Sequence, residues 1–236
     1  MLTSINKYIS DLGFCSRRQA DVYIDQCRVE INGSIALKGN RVAPGDIVTI
    51  DGEKLKTNKK TVYIALYKPR GITTTTDVTD KHNVISYINY PSRIFPIGRL
   101  DRPSEGLLLL TNDGDIVNKI LRAGNHHQKE YLVTVDQEIT PDMLHKMRNG
   151  IRIDGVLTHK CTVTQLGKHK LKMILEQGLY RQVRKMCEAC GYHVTQLIRT
   201  RIMNITIKNL SPGTWRHLTA DEVTTIETLL KDSSKT

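Results

Sequence analysis

Four consecutive leucines at residues 107–110 constrain the fold more than any other stretch of the chain. Gly106 precedes the run, and the turn-forming residues Asn112, Asp113 and Gly114 follow it. A short apolar run between such residues predicts a strand that is buried on both faces and ends in a tight turn. The chain must therefore build a sheet around a covered strand. Its 236 residues are enough for one large domain and a small one.

An ionisable cluster stands just before the leucines, where Asp101 is flanked by Arg99 and Arg102. Two neighbouring guanidinium groups favour the charged form of a carboxylate. A carboxylate that stays ionised in a partly dry pocket can act as a nucleophile or a base. The alternative is a surface Asp–Arg pair beside a core strand. Ser104 has no recognisable His partner, so the sequence gives no indication of a serine nucleophile.

The whole segment at residues 98–115, GRLDRPSEGLLLLTNDGD, resembles the catalytic motif of the pseudouridine synthases. The similarity is to the RsuA/RluB/RluE/RluF family, which modifies ribosomal RNA. It implies that Asp101 is the nucleophile. The family usually has Thr where Ser104 stands, which exchanges one hydroxyl for another. Leu100 and Leu197 are expected to line the pocket around the target base.

A second family motif, K-x-Y, is matched by Lys129 and Tyr131 at the start of a predicted strand. Taken alone, a Tyr at this position usually belongs to the core. The resemblance instead implies that Tyr131 stacks on the target base. We expect Lys129 to contact RNA.

The third motif, GLYRQVRKM at residues 178–186, is predicted to begin a helix with a basic face. The family usually has Asn or Thr where Leu179 and Tyr180 stand. By position, the resemblance implies that Arg184 pairs with Asp101. Arg181 is then the candidate for a phosphate contact, as are Arg99 and Arg102.

The first 53 residues resemble the S4 RNA-binding domain. Helical spacing of apolar residues, a capping box from Ser16 and an Asn32-Gly33 hairpin turn indicate two short helices followed by a small sheet. The SRRQAD, VEING and VAPGDIV segments carry the resemblance. The side chains expected to meet RNA phosphates are basic: Lys7, Arg17, Arg18 and Arg28. The alternative is a solvated helix face.

The predicted organisation is therefore an S4-like domain at 1–53, a basic linker at 54–60, a catalytic domain at 61–232 and a tail at 233–236. The linker holds four lysines and no apolar period. The fold class is α+β, and the resemblance implies a mixed, largely antiparallel sheet flanked by helices in the second domain. Strands are predicted at 194–198 and 202–207. A capping box at 219–222 predicts a final helix.

A formal net charge of +11 favours a polyanionic partner, and we expect RNA. An acidic membrane surface is the rival. No apolar stretch approaches the roughly 20 residues of a bilayer span, and the start lacks signal-peptide features, so no membrane is expected and the cytoplasm is predicted. Five cysteines without such a signal indicate free thiols in a reducing compartment. Cys187 and Cys190 lack a second ligand pair, so no metal is expected.

The resemblance implies that the chain isomerises a uridine of ribosomal RNA to pseudouridine, without a metal or organic cofactor. The first 52 residues together with residues 178–192 look most like the RluF type, which acts on large-subunit (23S) RNA. The uridine must be flipped out of its stack to be reached. The residues are compatible with attack of Asp101 on the sugar, attack on the base, or proton abstraction. A monomer is expected.

Three alternatives stay open. The protein could act on another RNA, such as 16S ribosomal RNA or tRNA. It could be a non-catalytic S4-type RNA-binding or ribosome-assembly factor. It could be a nucleoside hydrolase, since glycoside hydrolysis uses a pair of carboxylates, with Glu105 as partner of Asp101. The mass of the RNA distinguishes a synthase from a hydrolase, because isomerisation leaves the mass unchanged and hydrolysis removes uracil.

Overall fold

The structure, a computed structural model, describes residues 2–56, 60–77 and 79–233. The described residues form two compact units. The first extends to Val62 and includes Tyr90–Ile94 and Asn112–Gly114, and the rest of the chain forms the second. Residues 57–59 of the predicted linker and 234–236 of the predicted tail lie outside the described residues. The domain limits given above stay a prediction.

The described residues of the first unit form two helices and six short strands. Their bounds are β1 Thr3–Ser4, α1 Ile5–Asp11, α2 Arg17–Asp25, β2 Val29–Ile31, β3 Ser34–Ile35, β4 Arg41–Val42, β5 Val48–Ile50 and β6 Glu53–Lys54. The Ser16 side chain accepts a hydrogen bond from the Gln19 N–H at 3.1 Å and caps α2. Asn32 and Gly33 have φ values of 53° and 79°, as a two-residue hairpin turn requires. The hairpin turn is confirmed, and of the capping box predicted from Ser16 the bond to the Ser16 side chain is present.

Strands of the first unit form a four-stranded sheet in the order β3-β2-β5-β6, and β1 pairs with β4. Buried residues of α1, α2 and the sheet make one core, which includes Ile5, Ile9, Ala20, Ile24 and Val29.

The second unit contains the remaining elements. The strands are β7 Tyr63–Lys68, β8 Phe95–Ile97, β9 Glu105–Thr111, β10 Lys129–Val135, β11 Arg152–Ile153, β12 Val156–Leu157, β13 Thr162–Gly167, β14 Lys170–Leu175, β15 Val194–Ile202, β16 Ile205–Thr206 and β17 Trp215–His217. The α-helices are α3 Val84–Ile88, α4 Gly114–Leu121, α5 Pro141–Asn149, α6 Gln182–Glu188 and α7 Ala220–Leu229. The predicted capping box of α7 is present in full between Thr219 and Glu222.

One mixed sheet organises this unit, in the order β13-β14-β10-β15-β9-β7-β17, with β16 paired to β15 and β8 paired to β9. The β9–β15 pair is parallel, and the other pairs of this sheet are antiparallel. The predicted α+β class with a largely antiparallel sheet is confirmed.

Strand β9 is covered on both faces, as predicted. The leucines at 107–110 are at most 1% exposed. Leu107 and Leu109 belong to a core cluster that also contains Ile116 and Ile120 of α4. A second cluster lies around β10, β14, α5 and α6. Burial of a leucine side chain contributes roughly 1.5–3 kcal/mol, so this strand anchors the unit.

Gly106 lets β9 and β15 approach closely. It has φ 107°, and a Cβ built on it would lie 2.4 Å from the carbonyl oxygen of Arg199, with which it is paired in register. A side chain of any size would force the two strands apart. The glycine before the leucine run therefore makes the parallel junction possible.

Some strands differ from the sequence prediction. Strand β15 extends to Ile202, beyond the predicted end at 198, and the predicted strand at 202–207 is present in part as β16. Residues 199–201 continue β15, where the Arg199 side chain is buried and donates to main-chain carbonyls. Strand β17 was not predicted. Within the described residues, every helix is too short or too polar to cross a membrane.

Candidate active site

A cavity of about 410 Å³ lies in the second unit, beside the loop that joins β8 to β9. This volume is within the range of small-ligand sites. Of the residues predicted for the site, seven line it: Arg99, Leu100, Asp101, Lys129, Tyr131, Arg181 and Leu197. Arg102 and Arg184 do not line it. The three family motifs therefore converge on one cavity, although 80 residues separate Asp101 from Arg181 in the sequence.

Asp101 is the single carboxylate among the described residues that line this cavity. Its side chain is 27% exposed, and its Oδ2 lies 3.9 Å from Nη1 of Arg181. Glu105, the possible second carboxylate of a hydrolase, lies outside the lining. It accepts from Arg70 at 3.2 Å and from Gln196 at 2.9 Å. The cavity thus holds one carboxylate, where glycoside hydrolysis uses a pair.

The pairing of the two arginines differs from the prediction. Arg184 was expected to pair with Asp101, but Arg181 forms that ion pair. Arg181 is the N-cap residue of α6 and has a left-handed conformation with φ 52°. Arg184 is one turn further along and is 8% exposed. The turn at the start of α6 therefore directs the first arginine to the cavity and the second into the protein.

Arg184 fixes the chain that follows Asp101. Its guanidinium donates to Ser104 Oγ at 3.1 Å, to the Pro103 carbonyl at 3.4 Å and to the Val194 carbonyl at 3.0 Å. Ser104 N–H in turn donates to the Asp101 carbonyl at 3.0 Å, which closes a turn. Burial lowers the pKa of Arg184, and the nearby Arg181 lowers it further. Arg184 therefore connects α6, β15 and the Asp101 turn.

Two residues that the sequence analysis missed hold the other end of this loop. Thr74 Oγ1 donates to the Leu100 carbonyl at 2.7 Å. Arg199 donates through Nε to the Leu107 carbonyl at 2.7 Å and through Nη1 to the Arg99 carbonyl at 3.1 Å. Arg199 is 4% exposed and lines the cavity. Strand β15 has polar residues on both sides of Arg199, so no local pattern marked this arginine as buried.

Tyr131 lies at an irregularity of β10. The register of β10 against β15 shifts between Glu130 and Tyr131, and Tyr131 is opposite Arg199 in β15 and Met173 in β14. Such bulges reorient a side chain beside an active site. Tyr131 is partly buried, and Leu197 of β15 is 4% exposed. An aromatic ring and an apolar side chain thus lie in the same cavity as Asp101.

Lys129, which is predicted to contact RNA, is a buried residue of the cavity lining. It is 5% exposed, and its Nζ donates to the His127 and Glu176 carbonyls at 3.3 and 3.4 Å. Burial, together with the charge of Arg199, lowers the pKa of Lys129 to about 8. Lys68, which was not predicted, is also fully buried. Burial and the charge of Arg199 lower its pKa to about 8.

The other basic residues predicted to bind RNA fall into two groups. Arg99, Arg102, Arg17 and Arg18 are exposed. Among the described residues, the last two have no ion-pair partner. Lys7 forms an ion pair with Asp11. Arg28 binds Asp51 at 2.6 Å and lies over the Tyr23 ring. Phosphate contacts by Lys7 and Arg28 would therefore compete with existing ion pairs.

No group of three or more His, Cys, Asp or Glu side chains within residues 2–56, 60–77 and 79–233 could hold a metal ion. Cys187 is buried, and burial raises the pKa of its thiol to about 12. Its neighbour Cys190 also has a raised pKa because of burial. Both thiols pack with the core around α6, as the sequence predicted.

Comparisons with known proteins agree with this geometry. The profile of the RNA pseudouridylate synthases matches residues 62–189, and that of the S4 domain matches residues 4–48. The dual-specificity RNA pseudouridine synthase RluF of Escherichia coli (strain K12) is 48% identical over 98% of this chain and 80% of its own length. The ribosomal large subunit pseudouridine synthase B of Bacillus subtilis (strain 168) is 34% identical, over 95% of this chain and 96% of its own.

A solved structure entitled "Crystal structure of pseudouridylate synthase" covers 95% of this chain and 99% of its own, at 28% identity and a TM-score of 0.70. Sequence profile, full-length relatives and fold lead to one conclusion. The chain belongs to the RNA pseudouridylate synthase family and is an RNA pseudouridine synthase with an S4 domain at its N-terminal end.

Proposed function

We propose that the protein converts a uridine of large-subunit ribosomal RNA to pseudouridine, with Asp101 as the nucleophile. The observation that carries this proposal is the position of Asp101, which is the single carboxylate on the cavity and is paired with Arg181. The relatives named for RluF and for the ribosomal large subunit favour this RNA. Because the RluF relatives are called dual-specificity enzymes, a second RNA target is the alternative.

The reaction needs no co-reactant. The N1–C1′ bond of the uridine breaks, the base turns, and a C5–C1′ bond forms; the proton on C5 leaves and N1 gains one. Asp101 attacks the nucleotide once the base has been flipped into the cavity. Flipping costs a few kcal/mol. Stacking on Tyr131 offsets roughly 1–3 kcal/mol of it, and Leu197 provides an apolar floor.

The arginines have separate roles in this proposal. Arg181 stabilises the charge of Asp101, and Arg184 positions the turn that carries it. Arg99 and Arg102 are exposed on either side of Asp101 and hold the phosphates of the distorted RNA backbone. In the S4 domain, Arg17 and Arg18 contribute phosphate contacts that position the RNA without specifying sequence.

We propose that the protein acts as a monomer in the cytoplasm, where its RNA substrate would be found.

The decisive experiment is a map of carbodiimide-reactive nucleotides on ribosomal RNA from cells with and without the gene. One or more uridines of the large-subunit RNA should lose reactivity when the gene is deleted. Purified protein should restore the signal on a transcript, and the mass of the RNA should not change. Loss of uracil would instead identify a hydrolase, and unchanged maps of both ribosomal RNA and tRNA would identify a binding factor.

Asp101→Asn provides the matched control. It keeps the size of the side chain and removes its charge, so pseudouridine formation should be abolished while RNA affinity stays within a few-fold. If the variant forms pseudouridine at the wild-type rate, Asp101 is not the nucleophile. If it loses binding and fold together, the residue is structural.

A further inference from the structure

Among the large hydrophobic residues in the described part of the chain, Tyr180 is the most exposed. It is 70% exposed and lines the cavity that contains Asp101. Because most of this ring stays in contact with water, it contributes little hydrophobic free energy to folding. Packing therefore does not explain its position. Tyr131, by contrast, is partly buried and packs against a core cluster. The two tyrosines therefore lie at different depths of one cavity.

One face of the Tyr180 ring is already occupied. The Lys185 ammonium lies over it, 4.8 Å from the ring centroid, and forms an ion pair with Asp154 of the β11–β12 turn. The cation holds the ring from one side. The ring is nevertheless 70% exposed, so a flat ligand can still stack on it.

The backbone separates Tyr180 from its neighbour. Arg181 has the left-handed conformation at the start of α6, and its side chain reaches to 3.9 Å from Asp101. Tyr180, one residue earlier, lines the same cavity and stays largely exposed. A nucleotide whose base is flipped toward Asp101 is joined through its phosphates to neighbouring nucleotides, so a neighbour of the target can contact an exposed ring of the cavity lining.

The chemistry around the ring suits RNA. Arg181 and Lys185 lie beside it, and the exposed Arg99 lies on the same cavity. An aromatic face among cations is the arrangement that binds single-stranded nucleic acid, through stacking of bases and attraction of the backbone. We propose that Tyr180 stacks on the base next to the target uridine and holds that base unpaired while the target occupies the cavity. This inference rests on the proposed function.

The test is a cycle that changes the protein and the RNA together. Wild type, Tyr180→Ala, Tyr180→Phe and Tyr180→Leu are titrated with a stem-loop around the uridine identified by the carbodiimide map. Two further stem-loops carry an abasic residue on the 5′ or the 3′ side of that uridine. Tyr180→Ala should weaken binding of the intact RNA about tenfold, and Tyr180→Phe should bind as wild type.

The loss of RNA affinity caused by Tyr180→Ala should disappear on one of the two abasic RNAs, because the base that stacks on Tyr180 is already absent there. Tyr180→Leu should behave like Tyr180→Ala if stacking matters, and like wild type if only apolar area matters. Leu166→Ala removes a large hydrophobic side chain that is 52% exposed and outside the cavity lining, and it should not change affinity.

A penalty that persists on both abasic RNAs, or a wild-type affinity of Tyr180→Ala, overturns the inference. The proposed function fails separately, when wild-type protein forms no pseudouridine. In that case the same variants are titrated with a labelled oligouridine of 12 nucleotides, with and without abasic positions. A penalty confined to the intact oligonucleotide then supports the stacking role, and its absence refutes it.

Discussion

At the scale of single residues, Arg181 and Arg184 have the same charge but opposite environments. Arg181 is partly exposed beside Asp101, whereas Arg184 is buried among main-chain carbonyls and Ser104. Substitution of the first should affect chemistry and substitution of the second should affect stability. A comparison of the two positions separates these roles.

We expect Arg181→Met to lower the rate of pseudouridine formation roughly 10- to 100-fold, because a charge beside the reacting group is lost. Its free energy of unfolding should stay at the wild-type value. Arg184→Met should lower that free energy by about 1–3 kcal/mol, because buried acceptors lose their donor. Urea titrations and single-turnover assays measure the two effects. Equal stability of both variants would contradict the assignment.

The buried Lys129 makes stability depend on pH. Its pKa is about 8 in the folded protein and returns to the ordinary value of 10.5 on unfolding. Between these values the unfolded chain binds the proton and the folded chain does not, so the free energy of unfolding rises with pH. Below pH 8 both states are protonated, and burial of the charge costs stability.

Lys129→Met removes this contribution. Urea titrations from pH 7 to pH 10.5 should show wild type gaining stability relative to the variant across the window from about 8 to 10.5. Lys68 has a similarly lowered pKa, but it is present in both proteins, so its contribution cancels from the difference in their free energies of unfolding. If the free energies of unfolding of the two proteins change in parallel with pH, Lys129 keeps its ordinary pKa in the folded state.

At the scale of elements, the parallel pair of β9 and β15 is the junction on which the Asp101 loop depends. Gly106→Ala should lower the free energy of unfolding by at least about 2 kcal/mol, because the new Cβ meets the Arg199 carbonyl and the residue keeps a positive φ. Gly167→Ala, where a Cβ would meet nothing within 4 Å, should stay within about 1 kcal/mol of wild type. Urea titration gives both values.

The elements also show which parts of the fold local sequence patterns can predict. The leucine run predicted β9, and capping residues predicted α2 and α7, because those signals are local. Strand β17 has three residues without alternation and exists because it pairs with β7, which no local pattern reveals.

The site residues likewise divide into those that the sequence predicted and those whose positions depend on tertiary contacts. Motif resemblance identified Asp101, Tyr131 and Arg181 as site residues, and all three line one cavity. The choice between Arg181 and Arg184 depended on a left-handed residue that a helical pattern does not show. The burial of Lys129 depended on contacts with strands distant in sequence.

At the scale of the whole molecule, the net charge of +11 gives a general affinity for RNA, but charges that are already paired contribute less. Arg17 and Arg18 are exposed near the start of α2, whereas Arg28 is bound to Asp51. The S4 domain should therefore depend on the first two.

We expect Arg17→Gln with Arg18→Gln to reduce the slope of log affinity against log salt by about 1.4 to 1.8, the value for two lost phosphate contacts. Arg28→Gln with Asp51→Asn removes a paired charge of each sign and should leave that slope unchanged. Titrations of a ribosomal RNA fragment at several salt concentrations measure it. An unchanged slope in the first variant would show that α2 does not contact phosphate.

Strand β15 lies between β9 and β10 in the sheet, yet it is synthesised after both. A nascent chain that ends before Val194 lacks the Val194 carbonyl that accepts from Arg184 and the Arg199 guanidinium that donates to the Arg99 carbonyl. Asp101 is then present without these two contacts around its loop. The enzyme consequently acquires activity late in its own translation, and premature stop codons ahead of β15 should yield inert products.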